Sequence, residues 1–189
     1  MKEYSVPRLC AWEDVERLAV DCFPWAEYRE DIHTSVKLMR SETALLVRFE
    51  TDERPLLAEK TADHSRVCED SCMEFFFRTE NTLKYINLEI NPLGTVYADF
   101  DRKPIAVDAK RLHLVSTITP ECWSLQYEVP FSLIEAYFGH VGACLYANFY
   151  KCGDKTVHPH YACWNPVGGD TPNFHQPQSF GKLIFGGNP

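Results

Sequence analysis

The sequence predicts an all-β protein, an antiparallel β-sandwich with one or two short helices. Three observations carry that expectation: many short strand-like runs, turn residues between them, and alternation of apolar and polar side chains within them. In VCEDSCMEFFFR (67–78), Met73, Phe75 and Phe77 alternate with Cys72, Glu74 and Phe76. Successive side chains on a strand point to opposite faces. Met73, Phe75 and Phe77 can therefore fill a core while Glu74 occupies the other face.

The elements follow in order. WEDVERLA (12–19) has helical spacing at Trp12, Val15, Leu18 and Ala19, which predicts a short helix within an N-terminal extension, residues 1–22, packed on the domain. A turn with Pro24 follows. From residue 34 onward the runs read as strands: TSVKLMR, ALLVRFE, MEFFFR, KYINLEIN, TVYADF, RLHLVSTI, WSLQYEV, CLYANFY and KLIFG. NPLG (91–94), KCGD (151–154) and NPVGGD (165–170) punctuate them. PFSLIEAYFG (130–139) is the second helical candidate, opened by Pro130 and closed by Gly139. With no repeat and one composition throughout, residues 23–189 read as one sandwich domain.

Composition limits the partners. Hydrophobic residues make up 45% of the 189, enough for a core, and the net charge is −8. That charge disfavours nucleic acid, whose phosphates need clustered Lys and Arg. No apolar run approaches the roughly 18 residues of a membrane span. The first 18 residues hold no continuous apolar segment, so the expected location is cytoplasmic, or secreted or periplasmic if the sequence is truncated. The eight cysteines are then expected mostly as free thiols, with Cys144 a small hydrophobe in its strand.

The polar faces share one chemistry. In KYINLEIN, Tyr85, Asn87, Glu89 and Asn91 oppose Ile86, Leu88 and Ile90. In LYANFYK, Tyr146, Asn148 and Tyr150 oppose Leu145, Ala147 and Phe149, and in WSLQYEV, Ser124, Gln126 and Glu128 oppose the apolar set. Placed side by side, such faces offer carboxylates and amides for sugar hydroxyls and rings for pyranose C–H faces. The alternative is a plain solvated sheet face.

Several stretches, taken in order, resemble the family 9 carbohydrate-binding modules, especially their single-domain bacterial relatives. They are FPW (23–25), TSVKLMRSETALLVRFET (34–51), EDSCMEFFF (69–77), YINLEINPLG (85–94), VPFSLI (129–134), ANFYKCGD (147–154), HYACWNP (160–166) and NFHQPQSFGKLIF (173–185). The resemblance implies a sandwich of that family's kind and non-catalytic binding of a mono- or oligosaccharide, often at a chain end. It also implies a link to polysaccharide breakdown, since the family occurs on xylanases that act on xylan. Calcium sites occur in the family, so calcium is the cofactor the resemblance allows. Glu74 falls on the strand carboxylate that binds sugar hydroxyls. Asn87 falls near a strand position where the family uses a basic residue, and Tyr150 near an amide position. The family's sugar lies between two tryptophans; one position is Cys68 here, and the other falls near Phe174 and His175. Expected ligand residues are thus Glu74, Tyr85, Asn87, Tyr150, Phe174 and His175. Trp164 matches a neighbouring family tryptophan rather than a sandwich one.

Other constellations compete. Cys152, His158, His160 and Cys163 are zinc-type ligands, but their spacing matches no common structural site, so no metal ligands are assigned. The acidic run at Glu69, Asp70 and Glu74 offers oxygens for calcium but lacks the D-x-D-x-D-G loop. G-x-S-x-G is absent, and Glu74 and Glu89 are a glycosidase pair by residue type only. The alternatives to a binding module are therefore a glycoside-processing or zinc-dependent enzyme on the same sandwich, and an interaction domain that has lost sugar binding.

Overall fold

The structure, a computed structural model, describes residues 1–186 and is a two-layer sandwich. In chain order the strands are β1 Glu3–Ser5, β2 Leu18–Ala19, β3 Thr34–Arg40, β4 Ala44–Thr51, β5 Cys72–Arg78, β6 Ile86–Ile90 and β7 Val96–Phe100. Then come β8 Lys103–Pro104, β9 Val115–Ile118, β10 Trp123–Pro130, the helix α1 Phe131–Phe138, β11 Cys144–Cys152, β12 Tyr161–Cys163 and β13 Gly181–Ile184. The larger sheet runs β1-β13-β11-β5-β6-β7-β8, with β12 also paired to β11; the smaller runs β2-β3-β4-β10-β9. Pairing is antiparallel throughout the strands, apart from the parallel pair β1–β13.

Alternation places the core as expected. Met73, Phe75, Phe77, Ile86, Leu88, Ile90, Leu145, Ala147 and Phe149 are all buried between the sheets. Phe75 stacks on Phe149 at 4.9 Å, and Phe149 meets Phe49 of the opposite sheet edge-on at 5.8 Å. The helix α1 starts after Pro130 and ends at Gly139, which takes the left-handed φ of 81° and donates its N–H to Glu135 O. Glycine reaches that conformation without a Cβ penalty.

The helix expected over 12–19 does not form. Trp12–Asp14 make a single 3-10 turn, and Leu18–Ala19 pair with β3 as a sheet edge. An eight-residue helix is marginal in isolation, whereas the β3 edge offers a ladder to a chain that still buries Val15 and Leu18. With β1 on the larger sheet and β2 on the smaller, the N-terminal segment contributes to both layers.

The outer face of the larger sheet differs from a solvated one. Every residue of β5 and β6 is buried, on both faces. A second apolar cluster covers the outer side: Trp25, Val67, Phe174 and Phe180 from loops, over Phe76, Tyr85 and Tyr150 from the sheet. Gly181 permits part of this closeness, because a Cβ there would stand 2.4 Å from the Trp164 ring.

One charged network is fully enclosed. Lys151 Nζ lies 2.8 Å from Glu53 Oε2, 3.0 Å from His160 Nε2 and 2.7 Å from Cys152 O, while Ser71 Oγ donates to Glu53 Oε1 at 2.7 Å. Burial, then the Lys151 ammonium, push the His160 pKa down to about 4. The unfolded ring titrates near 6.5, so the unfolded chain binds more protons between these values. The stability contribution is complete above about 6.5 and is lost as pH falls through about 4, a change on the order of 3 kcal/mol. Denaturant unfolding across pH 7 to 4 should show this loss, and His160→Asn should reduce its pH dependence. An unchanged dependence in the variant would refute the assignment.

Candidate functional site

The cover over the larger sheet is incomplete at one place. A cleft of about 190 Å3 opens there, lined by Cys68, Glu74, Phe76, Glu89, Cys152, Asp154, Tyr161 and residues 172–175. Three strands place its floor: Glu74 and Phe76 on β5, Glu89 on β6 and Cys152 on β11. Glu74 stands directly opposite both Glu89 and Tyr150 in register. The pattern noted in the sequence thus does bring the carboxylates of β5 and β6 to one face. Asp154 and Tyr161 come from the turn and strand after β11, and Phe174 and His175 from the loop before β13.

The electrostatics are unusual because acids gather here without a paired cation among the described residues. Glu74 is buried beside Glu89, and desolvation followed by that neighbouring charge raises its pKa well above the carboxylate range. Cys152 Sγ donates to Glu74 Oε1 at 2.9 Å. Burial pushes Glu89 up to about 7, although Asn87 Nδ2 donates to its Oε1 at 2.7 Å. Asp99 and Asp154 are also raised, each mainly by burial. Glu89, at about 7, can hold or release its proton near neutral pH, so the floor offers a donor as well as acceptors.

The expected ligand residues divide into two groups. Glu74, Phe174 and His175 line the cleft. Tyr85, Asn87 and Tyr150 do not; each is buried behind it. Tyr150 stacks under Phe174 at 4.1 Å and donates its hydroxyl to Phe174 O at 3.1 Å. Tyr85 stacks on Phe76, and its hydroxyl lies 2.6 Å from His175 Nδ1. Asn87 bonds Glu89. These three hold the cleft rather than face it. Sequence reasoning missed Phe76, Cys152, Asp154 and Tyr161 as lining residues. The alternation of β5 and β11 already put Phe76 and Cys152 on Glu74's face. Asp154 and Tyr161 lie in a turn and a short strand that only the fold brings near.

The competing constellations separate in space. His160 turns inward to Lys151 and Glu53, while Cys152 and Cys163 face outward from their strands. Cys163 sits opposite Cys22 across a β-bridge. Glu69 pairs with Lys60 at 2.9 Å and Lys155 at 3.0 Å, Asp70 Oδ2 accepts from Glu59 N and Lys60 N, and Glu74 enters the cleft. The three acids of the run therefore serve three different places. All eight cysteines are free.

Two larger hollows, of about 870 and 760 Å3, lie away from this face. In the first, Arg17 pairs with Glu50 at 2.8 Å, His33 with Asp52 at 2.9 Å, and Arg29 lies over the Phe23 ring at 5.3 Å.

Residues 4–185 match the family model described as Carbohydrate-binding family 9. The chain belongs to carbohydrate-binding family 9. No curated protein matches it. Among solved structures, it is similar to a candidate carbohydrate-binding protein from Bacteroides uniformis, with 27% identity, a TM-score of 0.84, and 97% of this chain and 99% of that chain covered. It also shares the fold of a family 9 module from Caldicellulosiruptor kristjanssonii in complex with glucose, at 16% identity and a TM-score of 0.69, covering 100% of this chain and 97% of that one. The same fold appears in a family 9 module from that organism in complex with cellotriose, at 15% identity and a TM-score of 0.67, covering 100% and 95%. This family 9 chain keeps the sandwich and presents Cys68 at the cleft wall.

The loop over the cleft rests on Tyr150. Tyr150→Ala should cost roughly 3–5 kcal/mol and speed hydrogen exchange at residues 172–176, whereas Tyr150→Phe should cost about 1 kcal/mol. Equal exchange in wild type and Tyr150→Ala would show that the ring does not hold the loop.

Proposed function

We propose that the cleft binds one terminal sugar ring of a plant-type glucan or xylan chain and does not cleave it. The observation that carries this reading is the convergence of Glu74, Glu89 and Asp154 with the rings of Tyr161, Phe174 and His175 in about 190 Å3. That volume is below the roughly 300–1,000 Å3 of pockets for drug-sized ligands, which favours one ring over an extended chain. Carboxyls bonded to two hydroxyls at once set orientation, and the rings remove C–H faces from water. The bound glucose and cellotriose of the Caldicellulosiruptor kristjanssonii modules support a glucose-type ligand.

Non-catalytic binding fits the arrangement of the acids. A glycosidase needs carboxyls flanking the scissile bond. Glu74 and Glu89 instead stand side by side as cross-strand partners on one floor. The module would then serve polysaccharide breakdown by holding chain ends. With Cys68 in place of a second stacking ring, affinity rests mainly on hydrogen bonds.

Glu74→Ala tests the reading by calorimetry with glucose, xylose and cellotriose. A hydrogen bond from a neutral carboxyl contributes roughly 0.5–1.5 kcal/mol, so binding should weaken about two- to tenfold. Unchanged affinity in a folded variant would move the site elsewhere. Reducing-sugar release from cellotriose or xylan by the wild type would overturn the non-catalytic part.

A further inference from the structure

At the floor of the cleft lies a donor set that shares Glu74 with the proposed sugar site and adds two thiols that the sugar reading does not use. Cys72, Glu74 and Cys152 each present one ligand atom, and the three atoms lie within 4.8 Å of one another. This is the one such trio among the described residues. The two cysteines are directly opposed in the β5–β11 register, and Glu74 is two residues along β5 from Cys72, on the same face. All three side chains are buried.

We propose that Cys72, Glu74 and Cys152 form a binding site for a thiophilic divalent cation, of which zinc is the type. Metal binding does not require the cleft to take a sugar, although the two would share Glu74. Two thiolates and one carboxylate suit zinc and disfavour calcium and magnesium, which take oxygen ligands. Tetrahedral zinc with bonds of about 2.0–2.3 Å sets its donors about 3.5–3.8 Å apart. Cys152 Sγ and Glu74 Oε1 stand at 2.9 Å, so closing the site needs side-chain adjustment of under about 1 Å for this pair. The donors sit on two adjoining central strands, which fixes their spacing better than loops would.

Among the described residues no side-chain cation pairs with the trio. The nearest ammonium along the chain, Lys151, points to the opposite face and is held by Glu53 and His160. Glu69 takes Arg66 at 3.3 Å. The second thiol pair, Cys22 with Cys163, provides a contrast. Those cysteines also oppose one another, yet no carboxylate or imidazole completes a trio there among the described residues. The balance at the proposed site is simple. One cation enters, the two thiols and the carboxyl release the protons they carry, and the fourth position, facing the cleft, takes water. A trio with one water-filled position resembles an open site rather than a closed structural one.

The test uses intact reduced protein titrated with Co2+ and then Zn2+. The expected result is one equivalent of Co2+ with thiolate charge-transfer and tetrahedral bands, displaced by one equivalent of Zn2+. Cys152→Ser should lose most of the charge-transfer intensity and weaken Zn2+ binding at least tenfold. Cys22→Ser and the double variant Cys10→Ser/Cys122→Ser should keep both signals. If Cys152→Ser fails to fold, X-ray absorption on the wild-type zinc protein decides, with two sulfur neighbours at about 2.3 Å and the rest oxygen expected. Absent thiolate bands in the wild type would overturn the site. So would bands that persist in folded Cys152→Ser or vanish in Cys22→Ser, or an absorption spectrum with no sulfur shell.

Discussion

The structure depends on one constraint: the central strands of the larger sheet are buried on both faces. Antiparallel sheets usually leave one face to water. Here loops carrying Trp25, Val67, Phe174 and Phe180 lie across β5, β6 and β11 and close a second apolar cluster over the first. Every polar side chain on that face must then find a partner, give up its charge or open to a gap in the cover. Asn148 takes the first course, donating to Asn165 O and accepting from Asn165 N. Glu74 takes the second and third together, with a raised pKa and a place on the cleft floor.

The chemistry of the cleft follows from this enclosure. Desolvation is the leading cause of the raised pKa of Glu74, Glu89, Asp99 and Asp154. Ions are not screened there as they would be at a wet surface, so each polar contact to a ligand carries more weight. The same enclosure makes the cover a functional part. Tyr150 and Tyr85 fix Phe174 and His175, and through them set the width of the opening.

Much of this was legible in the sequence where periodicity decides the outcome. Alternation in β5, β6 and β11 separates Phe75, Leu88 and Phe149 from Glu74, Glu89 and Tyr150, and Pro130 with Gly139 frames α1. The N-terminal helix failed because helical spacing at Trp12, Val15 and Leu18 also suits a turn followed by an edge strand. The site was half legible. Glu74, Phe174 and His175 follow from the strand pattern and the family resemblance. Tyr150 and Asn87 share the right face but lie under the cover, and period-two alternation cannot tell a wet face from a covered one. Asp154 and Tyr161 needed the fold, since their approach to Glu74 depends on how the chain turns after β11.

A crystal structure of the chain with cellotriose tests the central claim most directly. The account predicts a terminal ring in the cleft, with hydroxyls on Glu74 and a ring face against Tyr161 or Phe174. Cellotriose bound instead in the hollow beside Phe23 and His33, with the cleft empty, would contradict it.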